Sequence, residues 1–293
     1  MIYALHHAVA LVMAMVAARC LSRARWTSRR PQLAILLWQV TALTLVVSFV
    51  GGLLALGLAP YGQGIVPGMR SFLVDPGGLP QVFAVVAGLA VACWLLGHQV
   101  RSAIGVARQR ARHRDLLALV AHDRGRMLVL DHPSAVAYCL PGRVPRVVVS
   151  AGARRLLTDA ELGAVLAHER AHLRERHHLV LSPFDALARL FPRWRAPGRV
   201  AAEVGLLTEM CADDYAVRQL GSRALIGALE KFEAAGGGPA PAGALAAQAS
   251  PLPDRIDRLR GVRPRTRRLP AVIAVAAAVT TLATPLSLFI APF

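Results

Sequence analysis

The sequence predicts an α+β chain: a multi-span helical membrane protein of about four transmembrane helices carrying one mainly helical cytoplasmic domain. Three observations predict it. Four apolar runs each approach or exceed the roughly 20 residues needed to cross a bilayer core. Arginines cluster beside those runs. Between the third and fourth run lies a polar stretch with helix and strand signals, long enough for one domain of ordinary size.

The first run extends from about Ile2 to Leu21. No basic residue precedes it and it carries His6 and His7, so it reads as a retained span rather than a signal peptide. The second runs from about Leu33 to Leu58, the third from Leu79 to Gly97, and the last from Leu269 to Phe289. Arg19 near the end of the first run and Arg23, Arg25, Arg29 and Arg30 after it form a basic cluster, whereas the loop between the second and third holds only Arg70. By the positive-inside rule the first loop is cytoplasmic, and the third span returns the chain to that side ahead of Arg101, Arg108, Arg110, Arg112 and Arg114. The expected division is 1–100 for three spans, 101–268 for the cytoplasmic domain and 269–293 for a fourth span, in the cell membrane.

The formal charge of +17 comes almost wholly from arginine, Lys231 being the one lysine. A charge this positive fits nucleic acid, anionic lipid or topology marking. Its position beside the apolar runs favours the last two, so membrane lipid is the expected contact. Zinc-finger spacing, aromatic-interleaved basic patches and RNP-like motifs are missing from the sequence, and direct nucleic-acid binding is not expected. Cys20, Cys93, Cys139 and Cys211 show no C-x-x-C spacing and read as buried small apolar residues rather than a disulfide framework.

Within the domain, Val106 to Val120 reads as helix, and Met127–Leu130 and Arg146–Ser150 as strands. A long helix starts near Thr158, where Thr158 and Glu161 have capping-box spacing, and a second covers about Val200 to Leu220 ahead of Gly221. The first of these helices contains His168-Glu169-Arg170-Ala171-His172. Spacing of i and i+4 puts both imidazoles on one helix face, one turn apart, where they can hold one Zn2+ ion. Glu169, next to His168, can face the open coordination position and take a proton from water there. A hydrolytic zinc site needs a third protein ligand, and Glu209 supplies it from the next helix. Asp213 lies at i+4 from Glu209, placed to hydrogen-bond a ligating histidine. The neighbours Met210, Cys211, Ala212 and Val217 are apolar, so this helix is packed and its carboxylates need partners.

The His168–His172 run, followed by Glu209-Met210-Cys211-Ala212-Asp213-Asp214, resembles the gluzincin membrane peptidases of the BlaR/MecR antirepressor type, as does the layout of three spans, a zincin domain and one span. The run Ala137 to Gly142, then Val147 to Ser150, is similar to the strands that precede the metal helix there. The resemblance implies a zinc-dependent endopeptidase acting on a protein substrate, with a transcriptional repressor as candidate partner in signalling. Two departures matter. The chain ends at Phe293 without the extracellular penicillin-binding domain of the sensor-bearing members, and Pro251 to Arg255 keeps a late arginine without the histidine that precedes it in HtpX-like peptidases. Arg255 is open to two readings, stabilising an oxyanion or an ordinary surface residue. HtpX-like quality-control proteolysis and a non-catalytic membrane receptor or scaffold remain the alternatives. His177, at i+5 from His172, reads with His178 as a polar helix-end residue.

Overall fold

The computed structural model describes residues 2–123, 125, 127–236, 245–246, 252–261, 276, 280 and 282–287. It is mainly helical with one small sheet, and the chain divides into two compact units, residues 1–98 with 266–293, and 99–265. In the first unit, α1 (Ile2–Arg23), α2 (Pro31–Gly57) and the start of α4 (Leu79–Val120) are long and apolar enough to cross a membrane. The short α3 (Ile65–Val74) lies between the last two. Helices α1 and α2 pack on each other, burying Tyr3, Ala10, Ala14, Ala34 and Trp38. The His7 ring sits against Gly51, where a Cβ would approach it to 2.4 Å, so His7 is packed between α1 and α2. The expected fourth span, with the arginines ahead of it, lies for the most part outside the described residues.

Reading the third span and the Val106–Val120 helix as separate elements is corrected: α4 is one helix of 42 residues. The residues that join them, 98–105, contain no proline to remove a backbone donor. What changes along α4 is the solvent its side chains suit, from apolar to arginine-rich, while the backbone stays helical.

The second unit is built on a five-stranded sheet in the order β1-β2-β4-β3-β5. Its strands are β1 (Ala121–Asp123), β2 (Leu128–Leu130), β3 (Ala137–Leu140), β4 (Arg146–Ser150) and β5 (Leu245–Ala246). β2 pairs parallel with β4, and the other pairings are antiparallel. Alternation decides what each face meets. Ala137, Val147 and Val149 point to α5 (Ala151–Leu156), α6 (Asp159–Arg174) and α9 (Ser222–Ala234), in a core with Ala153, Leu157, Val165, Ala228 and Phe232. Tyr138, Leu140 and Val148 point the other way and meet Leu117 of α4. Then α7 (His177–Leu190) and α8 (Arg195–Leu220) pack with α6 on the first side, and α10 (Leu252–Leu259) closes against α9.

Helix α6 starts where the sequence places it. The Thr158 hydroxyl accepts from the Glu161 amide at 3.4 Å, and a Glu161 carboxylate oxygen accepts from the Thr158 amide at 2.8 Å. Glu161 also meets Lys231 of α9 at 2.5 Å, which ties this helix start to the layer behind it. Thr158→Ala is expected to lower stability by about 1 kcal/mol through the lost cap; an unchanged urea midpoint would show that the cap contributes nothing. α8 ends at Gly221, whose φ of 82° suits glycine, as expected of a helix stop.

Candidate metal centre

Helices α6 and α8 approach closely because small side chains separate them: Ala164 and Ala167 of α6 and Ala216 of α8 share one buried cluster. That approach brings polar groups of both helices to one point. His168 Nε2 lies 3.1 Å from His172 Nε2. Each is 3.3 Å from a Glu209 oxygen, His168 from Oε2 and His172 from Oε1. These three side chains form a candidate metal-binding triad. All are buried, with 1%, 0% and 5% of their surface exposed.

Each histidine is held at its other ring nitrogen. His168 Nδ1 donates to Asp213 Oδ1 at 2.9 Å. Arg255 in turn grips Asp213 with two hydrogen bonds, Nε to Oδ2 at 2.8 Å and Nη2 to Oδ1 at 2.6 Å, and reaches Glu209 Oε2 with Nη1 at 3.1 Å. The surface reading of Arg255 is therefore corrected. It is fully buried, because two buried carboxylates on α8 need a cation and the Arg255 side chain supplies one from α10. A guanidinium committed to Asp213 and Glu209 is a poor candidate for stabilising an oxyanion elsewhere.

His177 is also corrected. It is 2% exposed, its Nδ1 lies 2.9 Å from His172 Nδ1, and its Nε2 lies 3.1 Å from Glu175 Oε2. Arg176, with φ of 51°, breaks the helix between Glu175 and His177 and turns the His177 ring back onto His172. The carboxylate settles the tautomers in order. Glu175 accepts, so His177 Nε2 carries the proton and its Nδ1 accepts; His172 Nδ1 then donates, which leaves His172 Nε2 with a free lone pair. Asp213 does the same for His168. Both Nε2 atoms are thereby prepared as ligands. Glu175, His177 and Cys211 also lie close enough to hold an ion. The same tautomers place a proton on His177 Nε2, so that second group cannot ligate through it while His172 Nε2 is free.

Electrostatics agree with this arrangement. Burial drives the His172 pKa down to about 3, keeping the ring neutral. Burial alone would also lower His168, but hydrogen bonds to Asp213 and Glu209 raise it to about 9, so the pocket favours positive charge at Nε2. Burial would raise Glu209, yet His172 and Arg255 bring it down to about 2. Against burial, Arg255 holds Asp213 well below the usual carboxylate range.

Glu169 differs from both. It is fully buried, and no nitrogen or oxygen donor among the described residues reaches either carboxylate oxygen. Cys139 of β3, on the sheet face toward α6, is its polar neighbour. Burial raises the Glu169 pKa to about 7, that of a group able to take and return a proton near neutrality.

The sequence alone brought forward His168, Glu169, His172, Glu209 and Asp213, and the structure gathers all five. It read His177 as a polar helix-end residue and left Arg255 between an oxyanion role and a surface position, so the part each plays here went unseen. A buried Asp213 demanding a cation was the one available signal for Arg255.

Residues 109–209, from within α4 to Glu209, match the model of Peptidase family M48, whose members are metal-dependent. The match covers His168, His172 and Glu209 and, with three apolar helices, supports a membrane-associated metallopeptidase. No curated protein and no solved structure matches the chain.

Proposed function

We propose that this chain is a membrane-bound zinc endopeptidase of the BlaR/MecR type, with His168, His172 and Glu209 as metal ligands, Glu169 as general base and Asp213 positioning His168. One observation carries the metal reading. A tetrahedral ion with bonds of about 2.0–2.1 Å has ligand–ligand edges of roughly 3.3–3.4 Å. The three edges here are 3.1, 3.3 and 3.3 Å. Two imidazoles and one carboxylate are a donor set suited to zinc, and they leave the fourth direction for water or substrate.

When bound, zinc would polarise a peptide carbonyl and lower the pKa of water. The remaining work belongs to the chain. Glu169 takes a proton from the attacking water and returns it to the departing amine, the two transfers that a carboxyl poised near neutrality performs well. Asp213 and His177 hold the imidazoles in the required tautomer, and Arg255 keeps Asp213 and Glu209 ionised. The layout of basic flanks supports a cytoplasmic position for this domain, in division 101–268, with a cytoplasmic protein as substrate, a transcriptional repressor in the signalling reading. Membrane-protein quality control is the second reading, by analogy with HtpX-like enzymes.

Purified full-length protein is expected to hold close to one zinc per chain, to lose peptidase activity on chelation and to regain it on adding zinc. His168→Ala is expected to abolish stoichiometric zinc. Protein that folds but binds no zinc would overturn the proposal in favour of a receptor or scaffold.

A further inference from the structure

Behind the metal helices, on the side of α4, the second unit contains a cavity of about 620 Å³. Arg110 and Arg114 reach it from α4, Arg174 from the last turn of α6, and Arg176 and His178 from the junction with α7. Among the described residues no aspartate or glutamate lines it. This contrasts with the other cations that reach across the unit. Arg255 has Asp213 and Glu209, Arg258 has Asp214, Arg260 has Glu230, Lys231 has Glu161 and Arg146 has Asp123. Among the described residues no carboxylate lies within ion-pair distance of Arg114, Arg174 or Arg176.

The cluster is held in place rather than scattered. Arg114 donates to the Pro141 carbonyl at 3.0 Å and lies so close to Gly142 that a Cβ there would meet its Nη1 at 2.3 Å. Arg174 donates to the Tyr215 hydroxyl at 3.2 Å. His178 Nδ1 is buried with no hydrogen-bond partner. Burial, with Arg110 and Arg176 beside it, lowers the His178 pKa to about 4, so the ring is neutral and able to donate one hydrogen bond. Arg174 and Arg176 are exposed and Arg114 is half-buried, and guanidinium groups gathered around a concave space with no carboxylate on these three among the described residues attract an anion.

We infer that this cavity is a binding site for a phosphoryl group, held by Arg114, Arg174 and Arg176 with the unpartnered His178 Nδ1 as a further polar contact. Guanidinium forks pair bidentately with phosphate oxygens, which favours phosphate over a single carboxylate. The site is separate from the metal ligands, and its occupancy does not rest on the peptidase reading. It does touch the same junction, since Arg174 and Arg176 flank Glu175, whose carboxylate faces His177.

The test measures binding to full-length protein in detergent by calorimetry, at fixed ionic strength. Three phosphoryl sources are compared: inorganic pyrophosphate, ATP and a short-chain phosphatidylglycerol. Saturable binding near one per chain is expected for at least one, and the tightest identifies whether the source is a free phosphate, a nucleotide or a headgroup. Arg114→Ala/Arg176→Ala is expected to weaken binding by about tenfold or more, the loss of two charge-assisted contacts. Gly142→Ala keeps every charge but displaces the Arg114 guanidinium, and is expected to weaken binding as well. Equal binding by the wild type and both variants would overturn the site, as would failure of all three ligands. Binding of an oligoglutamate peptide in preference to every phosphoryl ligand would overturn it in favour of an acidic protein segment.

Discussion

Glu169→Gln is expected to reduce peptide hydrolysis by roughly 10²–10⁴-fold, the range attributable to one positioned general base. Glutamine keeps the shape and can still hydrogen-bond, but it cannot accept the proton. Because Glu169 is not one of the three residues whose ligand atoms converge, the variant is expected to keep the same zinc content as the wild type. Loss of cleavage with zinc retained separates base from ligand. A variant that cleaves as fast as the wild type would remove Glu169 from the chemistry, and one that loses its zinc would assign it a structural part.

Arg255→Met carries the second large effect, on stability. The arginine is wholly buried between two carboxylates, Asp213 and Glu209, which are almost as enclosed. Removing one partner from such a group leaves charge without compensation and costs about 3–5 kcal/mol. In a domain of this size the melting temperature should fall by on the order of 10 °C. Arg260→Met provides the control. Its pair with Glu230 is exposed on both sides, where such contacts are worth about 0–1 kcal/mol. Similar melting temperatures for the two variants would show that the buried arrangement does not hold the domain together.

Much of the site was legible because its signals are local or follow from one rule. The i and i+4 spacing of His168 and His172 fixes their common face, and the Thr158–Glu161 cap fixes where that helix begins. Glu209 and Asp213 stood out as carboxylates among apolar neighbours. His177 was misread because i+5 lies off the ligand face only if the helix continues. It does not: the left-handed turn at Arg176 redirects the chain, and nothing in the residue type announces that conformation. Arg255 depends on a partner 42 residues away, a tertiary pairing that spacing along one helix does not reveal. The length of α4 escaped for the opposite reason. A shift from apolar to basic composition looked like a boundary, although the residues that join the two halves contain no proline and the helix runs on through Gly97 and Gly105.

One property of the metal centre reaches beyond its chemistry. Glu169, His172 and Asp213 present no surface to solvent, and His168 almost none. A polypeptide cannot be cut by groups it cannot touch, so under the proposed peptidase reading the protein must open before it cuts. Its turnover would then be paced by how often the covering chain yields, a local opening whose free energy can be far below that of global unfolding. Control over proteolysis could in this way reside in access alone, with the hydrolytic groups kept assembled throughout.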